Sequence, residues 1–129
     1  MSLRFAGYAA VFDRVDRGGD VIRAGAFDVA QGGQGPVPLL WHHRGAPVGV
    51  VERVVPDARG LRVIGRIDDA ALAGMVRGGS VSGLSIGYRV RAGVRTGAAV
   101  RELTALDLVE VSLVAQPMQP LARVHAISG

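Results

Sequence analysis

A serine between glycines, a tandem histidine and a carboxylate inside an apolar run are the groups in this 129-residue sequence that could carry chemistry. The serine lies in Val81-Ser82-Gly83-Leu84-Ser85-Ile86-Gly87-Tyr88. With a strand period of two, Leu84, Ile86, Tyr88 and Val90 point to one face, and Gly83, Ser85 and Gly87 to the other. Glycine weakens a strand and marks places where another backbone or a ligand comes close. Gly83 and Gly87 would therefore clear a substrate-binding shelf on which the Ser85 hydroxyl meets an extended peptide. A plain serine on a Gly-rich edge strand is the alternative. The same residues match G-x-S-x-G, but that nucleophile elbow needs a strand-to-helix turn in a large parallel sheet, then an acid and a histidine. Here the segment reads as continuous strand, and the one later histidine is His125. The elbow is rejected.

His42 and His43 follow the apolar Leu39-Leu40-Trp41 and precede Arg44-Gly45-Ala46-Pro47, which reads as a turn into another strand. Imidazole exchanges protons near neutral pH. Adjacent strand positions face opposite sides, so Trp41 and His43 share one face and His42 takes the other. Two surface histidines at a strand end remain the alternative. Three histidines, no cysteine and no His-x-x-x-His spacing give no zinc site. Leu106–Ala115 is almost continuously apolar, as a strand covered on both faces would be. Glu110 stands in its middle, on the face of Leu108 and Ser112. A buried carboxylate needs a partner. An arginine would make a structural pair, and a histidine would be oriented by it.

The elements that must position these groups are short. Nineteen glycines and six prolines punctuate apolar runs, the pattern of a mostly-β chain. Strands are predicted at Leu3–Phe12, Val37–Trp41, Val48–Val55, Leu61–Ile67, Val81–Val90, Val100–Leu103, Leu106–Ala115 and Ala122–Ile127. Arg89–Ala99 reads as a loop or hairpin connection. Gly25–Gln31 reads as one helical turn, and Asp68–Arg77 as a helix capped by Asp68 or Asp69 and stopped by Gly78-Gly79. The expected architecture is mainly β: a single domain over residues 1–129, a compact barrel of about seven strands with one or two flanking helices.

Composition narrows the class. Apolar residues make up 49% and charged residues 20%, which is globular. The absence of cysteine excludes disulfides, thiolate metal sites and cysteine nucleophiles. No apolar run reaches the roughly 18 residues of a membrane helix, and Arg4 and Asp13 interrupt any signal-peptide core. The expectation is a cytoplasmic protein with no membrane partner and no cofactor or metal. All 15 basic residues are arginine and the net charge is +4. They are scattered and not interleaved with the six aromatics, so direct nucleic-acid binding is not expected.

Together these segments resemble the prohead (capsid-maturation) protease family of tailed phages and gene transfer agents. The matching stretches are Gly7-Tyr8-Ala9-Ala10-Val11-Phe12 and Gly18-Gly19-Asp20-Val21-Ile22-Arg23-Ala24-Gly25-Ala26-Phe27. They continue through Leu40-Trp41-His42-His43 with Pro47-Val48-Gly49, Gly60-Leu61, and Gly83-Leu84-Ser85-Ile86-Gly87-Tyr88. The last is Leu108-Val109-Glu110-Val111-Ser112-Leu113-Val114 with Pro117 behind it. The resemblance implies a barrel similar to the herpesvirus maturation proteases and a serine-centred triad. Carried onto this sequence, Ser85 is the nucleophile, His43 the general base and Glu110 the third member. Arg44 stands where the family usually has an acidic residue, and the loop to Pro47 is about one residue short, which keeps His42 as the alternative base. The implied substrates are the major capsid protein, scaffold segments and the protease itself, inside an assembling procapsid, with self-association left open. A catalytically silent assembly factor and a small basic nucleic-acid-binding barrel are the competing functions.

Overall fold

Period-two burial builds most of the chain. In the computed structural model, which describes residues 2–27, 34–96 and 100–129, eight strands and one helix follow in order. They are β1 (Leu3–Val11), β2 (Asp20–Ile22), β3 (Val37–Trp41), β4 (Arg44–Pro56), β5 (Gly60–Ile67), α1 (Ala70–Arg77), β6 (Gly83–Thr96), β7 (Val100–Val114) and β8 (Val124–Ser128). One sheet holds all the strands in the order β2-β7-β3-β4-β5-β1-β8, with β6 also on β7. β3, β4, β5 and β1 pair antiparallel in succession, whereas β2 and β3 lie parallel to β7.

The sheet curls until its ends meet. Residues 122–124 bond to β1 on one side (Tyr8 N–H to Arg123 O, 3.1 Å) and to the start of β6 on the other (Leu84 N–H to Ala122 O, 3.0 Å; Val124 N–H to Ser82 O, 2.8 Å). That closure makes the mainly-β barrel expected from the pattern. Tight coiling brings strands close at Gly60, where a Cβ would run into the Ala10 carbonyl of β1, so no larger residue fits. Leu39, Leu61, Ile67, Leu84, Leu103 and Leu113 fill the interior and are fully buried. α1 begins where the Asp69 carboxylate accepts the Leu72 N–H at 3.0 Å and ends at Gly78, with Gly79 left-handed (φ 83°). It lays Leu72, Ala73 and Val76 on the core.

Several expected boundaries move. The strands predicted at Val100–Leu103 and Leu106–Ala115 are one strand, β7, because bulges opposite Val90–Gly93 absorb the irregular middle. The loop expected over Arg89–Ala99 is, through Thr96, the second half of β6. β2 has only three residues and was too short to give a pattern. β4 starts at Arg44, with residues 45–48 bulging between the Trp41–Arg44 and Leu39–Gly49 pairs and Pro47 inside the bulge. The helical turn expected over Gly25–Gln31 lies partly outside the described residues. Its described part is a turn at Ala24–Gly25 and an isolated bridge from Phe27 to Leu106.

The short β2 is pinned to β7 by charge. The Asp20 carboxylate accepts from Arg101 Nε and Nη2, both at 2.9 Å, and from the Tyr88 hydroxyl at 3.1 Å. The Arg101 hydrogen bonds hold its pKa below the ordinary 3.8. Burial beside Asp20 pushes the Tyr88 phenol up to about 12. A depressed carboxylate contributes stability that is present above its ordinary value and is lost as pH falls through the folded one. Asp20→Asn should therefore cost about 1–2 kcal/mol at neutral pH, discounted for the exposed Arg101. Thermal melts should show that difference from wild type shrinking as pH drops below 4. A pH-independent difference would mean the pair acts through packing alone.

Candidate active site

The antiparallel register of β6 and β7 assembles one face of the site: Gly83 opposes Val114, Ser85 opposes Ser112 and Gly87 opposes Glu110. Directly opposed side chains share a face, with Cβ atoms about 4.5–5.5 Å apart. Ser85 is half-buried, whereas Ser112 is fully buried and Glu110 is 7% exposed. A bulge between Gly87 and Tyr88 leaves Val109 extra on β7 and sets Leu108 opposite Tyr88. Leu108 therefore does not share the face of Glu110, as simple alternation predicted.

The glycines do not leave an empty shelf. At Gly87 a Cβ would overlap Glu110 Oε1 and stand 2.9 Å from its Cδ. At Gly83 it would stand 2.6 Å from the Val114 carbonyl and 2.8 Å from Pro117 Cδ. The missing side chains make room for the protein's own carboxylate and its own Pro117. The Cβ contacts at Gly83 and Gly87 thus account for glycine there by the protein's own packing.

The two histidines are the turn and not the end of a strand. Trp41 pairs with Arg44, and His42 (φ 51°) and His43 (φ 64°) are the two left-handed residues between them, as in a type I′ hairpin turn. Asn-Gly is the common choice there, although histidine is enriched among non-glycine residues with positive φ. Each such residue costs roughly 1–2 kcal/mol, and β7 offsets this with bonds. His42 N–H donates to Leu113 O (3.0 Å), and His43 N–H donates to Ser112 Oγ (2.9 Å). Ala115 N–H donates to His42 Nε2 (3.3 Å), and Trp41 meets the His42 ring edge-to-face at 4.2 Å.

The His43 ring turns the other way. Its Nδ1 lies 2.5 Å from Glu110 Oε1, and Ser112 Oγ donates to Glu110 Oε2 at 2.8 Å. A carboxylate can only accept, so Nδ1 carries a proton, and in the neutral ring Nε2 has the lone pair. His43 and Ser85 line the same cavity, of about 160 Å³. Ala9, Val11, Ile22, Leu84 and Ile86 give it apolar walls, and Arg14, Asp16 and Asp20 a polar side. Burial pushes the Asp16 carboxyl up, although it accepts the Gly18 and Asp20 N–H groups. Among the described residues, no side-chain hydrogen bond engages Ser85. An accessible hydroxyl in one cavity with an imidazole backed by a carboxylate can act as a nucleophile when the ring reaches it. The partner left open for Glu110 is thus a histidine and not an arginine.

The family model described as caudovirus prohead serine protease matches residues 1–128. The chain belongs to that family. The prohead protease of Enterobacteria phage HK97 is 31% identical over 137 residues, covering 97% of this chain and 60% of that protein. The chain therefore spans about three-fifths of its curated relative. A crystal structure of KSHV protease in complex with a hexapeptide phosphonate inhibitor superposes with a TM-score of 0.64 at 12% identity. It covers 100% of this chain and 66% of that one, so the herpesvirus-protease-like fold is shared.

His43 and Ser85 thus line one cavity with Glu110 behind His43, His42 faces β7, and His125 lies apart, its ring 5.7 Å from that of Tyr8. Ser112, which bonds both Glu110 and His43, was missed as a site residue. A serine in an apolar run carries no sequence signal beyond standing two positions from the carboxylate. The Gly87 geometry yields a prediction. Gly87→Ala should displace the Glu110 carboxylate, destabilising the fold by about 1–3 kcal/mol. A crystal structure or imidazole NMR of the variant should show the His43–Glu110 contact broken while β6 and β7 stay paired.

Proposed function

We propose that this chain is a serine endopeptidase of capsid maturation, with Ser85 as nucleophile, His43 as general base and Glu110 as the acid behind it. The observation that carries the proposal is the 2.5 Å contact of His43 Nδ1 with Glu110 Oε1 at the edge of the cavity that Ser85 also lines. Ser85 Oγ attacks the scissile carbonyl as His43 Nε2 takes its proton. His43 then returns that proton to the leaving amine, and a water deprotonated by His43 hydrolyses the acyl-enzyme, regenerating Ser85. Glu110 holds the ring in the Nδ1–H tautomer and stabilises the imidazolium formed in each half-reaction.

Family membership and the HK97 relative support the class of substrate: the major capsid protein, scaffold segments and the protease itself, inside an assembling procapsid. The assignment of His43 over His42 rests on their bonds. His42 Nε2 is occupied by the Ala115 N–H, whereas His43 keeps its Nε2 for a proton from Ser85.

The test is incubation of purified protein with its cognate major capsid protein, read as fragments on a gel. Ser85→Ala and His43→Ala should lower cleavage on the order of 10⁴-fold or more with the fold intact. Glu110→Gln should lower it by about 10²- to 10⁴-fold, since the amide cannot stabilise the charged ring. His42→Ala should cost about 1–2 kcal/mol in a thermal melt yet leave cleavage by the folded protein near wild type. Wild-type cleavage by Ser85→Ala would end the serine-protease assignment. Normal folded-state turnover by Glu110→Gln would reduce that residue to a structural role.

A further inference from the structure

The structure assigns Ser112 as the positioning residue of this site: one buried hydroxyl that fixes both the Glu110 carboxylate and the His43 main chain. The assignment rests on the proposed roles of Ser85, His43 and Glu110. Three bonds close a ring. His43 Nδ1 meets Glu110 Oε1 at 2.5 Å, Glu110 Oε2 accepts the Ser112 hydroxyl at 2.8 Å, and Ser112 Oγ accepts the His43 backbone N–H at 2.9 Å.

The proton count around that ring is unique. A serine hydroxyl has one proton and two lone pairs, a carboxylate only accepts and a main-chain N–H only donates. The Ser112 proton therefore points to Oε2, and its lone pair faces His43. Two arms therefore run from His43 to Glu110: in one, the His43 N–H donates to Ser112 and Ser112 donates to Oε2, a relay in which each hydrogen bond strengthens the next, and in the other Nδ1–H donates to Oε1 directly.

Each bond removes a specific freedom. A glutamate side chain has a broad terminal torsion, so Oε1 alone would not fix the plane of the carboxylate. Ser112 holds the second oxygen and sets that plane toward Nδ1. His43 sits in a left-handed turn, and its N–H bonds to the same hydroxyl that sets the carboxylate. Ring and backbone of the base are therefore both referenced to β7. Ser112 also stands directly opposite Ser85 on the paired strand. One residue thus relates all three groups while touching no substrate, since it is fully buried and does not line the cavity.

The test uses Ser112→Ala in the full chain, with three readings: a thermal melt, kcat and KM on a capsid-protein peptide, and the downfield proton resonance of the His43 Nδ1–H. The expected result is a folded protein whose kcat falls about 10- to 100-fold, the scale of a misplaced catalytic group. KM should stay near wild type, and the Nδ1–H resonance should move upfield or be lost to exchange. Wild-type kcat with the resonance in place overturns the assignment. So does a lower melting temperature with unchanged kcat and resonance for the folded protein, which would make Ser112 merely structural. If Ser112→Ala does not fold, Ser112→Cys keeps the shape with a weaker donor. An intermediate kcat with a shifted resonance then supports the assignment, and wild-type values of both overturn it. Ser85→Ala run in parallel separates the layers. Full activity of Ser85→Ala sinks the protease reading itself, whereas an inactive Ser85→Ala beside a fully active Ser112→Ala sinks only the positioning role.

Discussion

A carboxylate taken out of water has to be satisfied, and much of the local structure answers that demand for Glu110. An unpaired buried charge would cost several kcal/mol. The response is spread over three places: Gly87 on β6 gives up its side chain to leave room, Ser112 on β7 donates to one oxygen, and the β3–β4 turn brings His43 to the other. The turn in turn needs two left-handed backbones, which the bonds to Leu113, Ser112 and Ala115 help to sustain.

β7 is the strand on which the parts are gathered. Among the described strands it alone pairs with all three of β6, which bears Ser85, β3, which leads to His43, and β2, whose Asp20 borders the cavity. Its long apolar run follows from that crowding, because neighbours on both edges and core on one face leave little contact with water. The bulge at Val109 is the adjustment that turns Glu110 toward the histidine while Leu108 stays opposite Tyr88.

Much of this was legible, for identifiable reasons. β3 was placed with its observed ends, and β5 and the Asp69-capped helix within a residue or two, because turn residues bound them and their apolar spacing is regular. Ser85, His43 and Glu110 stood out because a small polar residue among glycines, an imidazole and a carboxylate in an apolar run are each out of place. Other features left no trace. A tandem histidine reads as strand unless one knows that both residues are left-handed. The bulge at Val109 breaks alternation without changing composition. Gly83 and Gly87 look like open space because a sequence cannot say that the protein's own groups fill it. Ser112 was invisible because its importance lies entirely in whom it touches.

The closure through residues 122–124 sets the order in which the site can come into being. The cavity is lined by Ala9 and Val11 near one end of the sequence and by Met118 and Gln119 near the other. The first residues of β6, just before Ser85, are held by Ala122 and Arg123. Contacts of such large sequence separation form late, since loop-closure entropy is paid before they return anything. During synthesis, the histidine turn and the strand bearing Ser85 would already have emerged while the wall that completes the cavity was still being made. A ribosome-bound chain therefore has no complete cavity until residues 118–124 have emerged and docked.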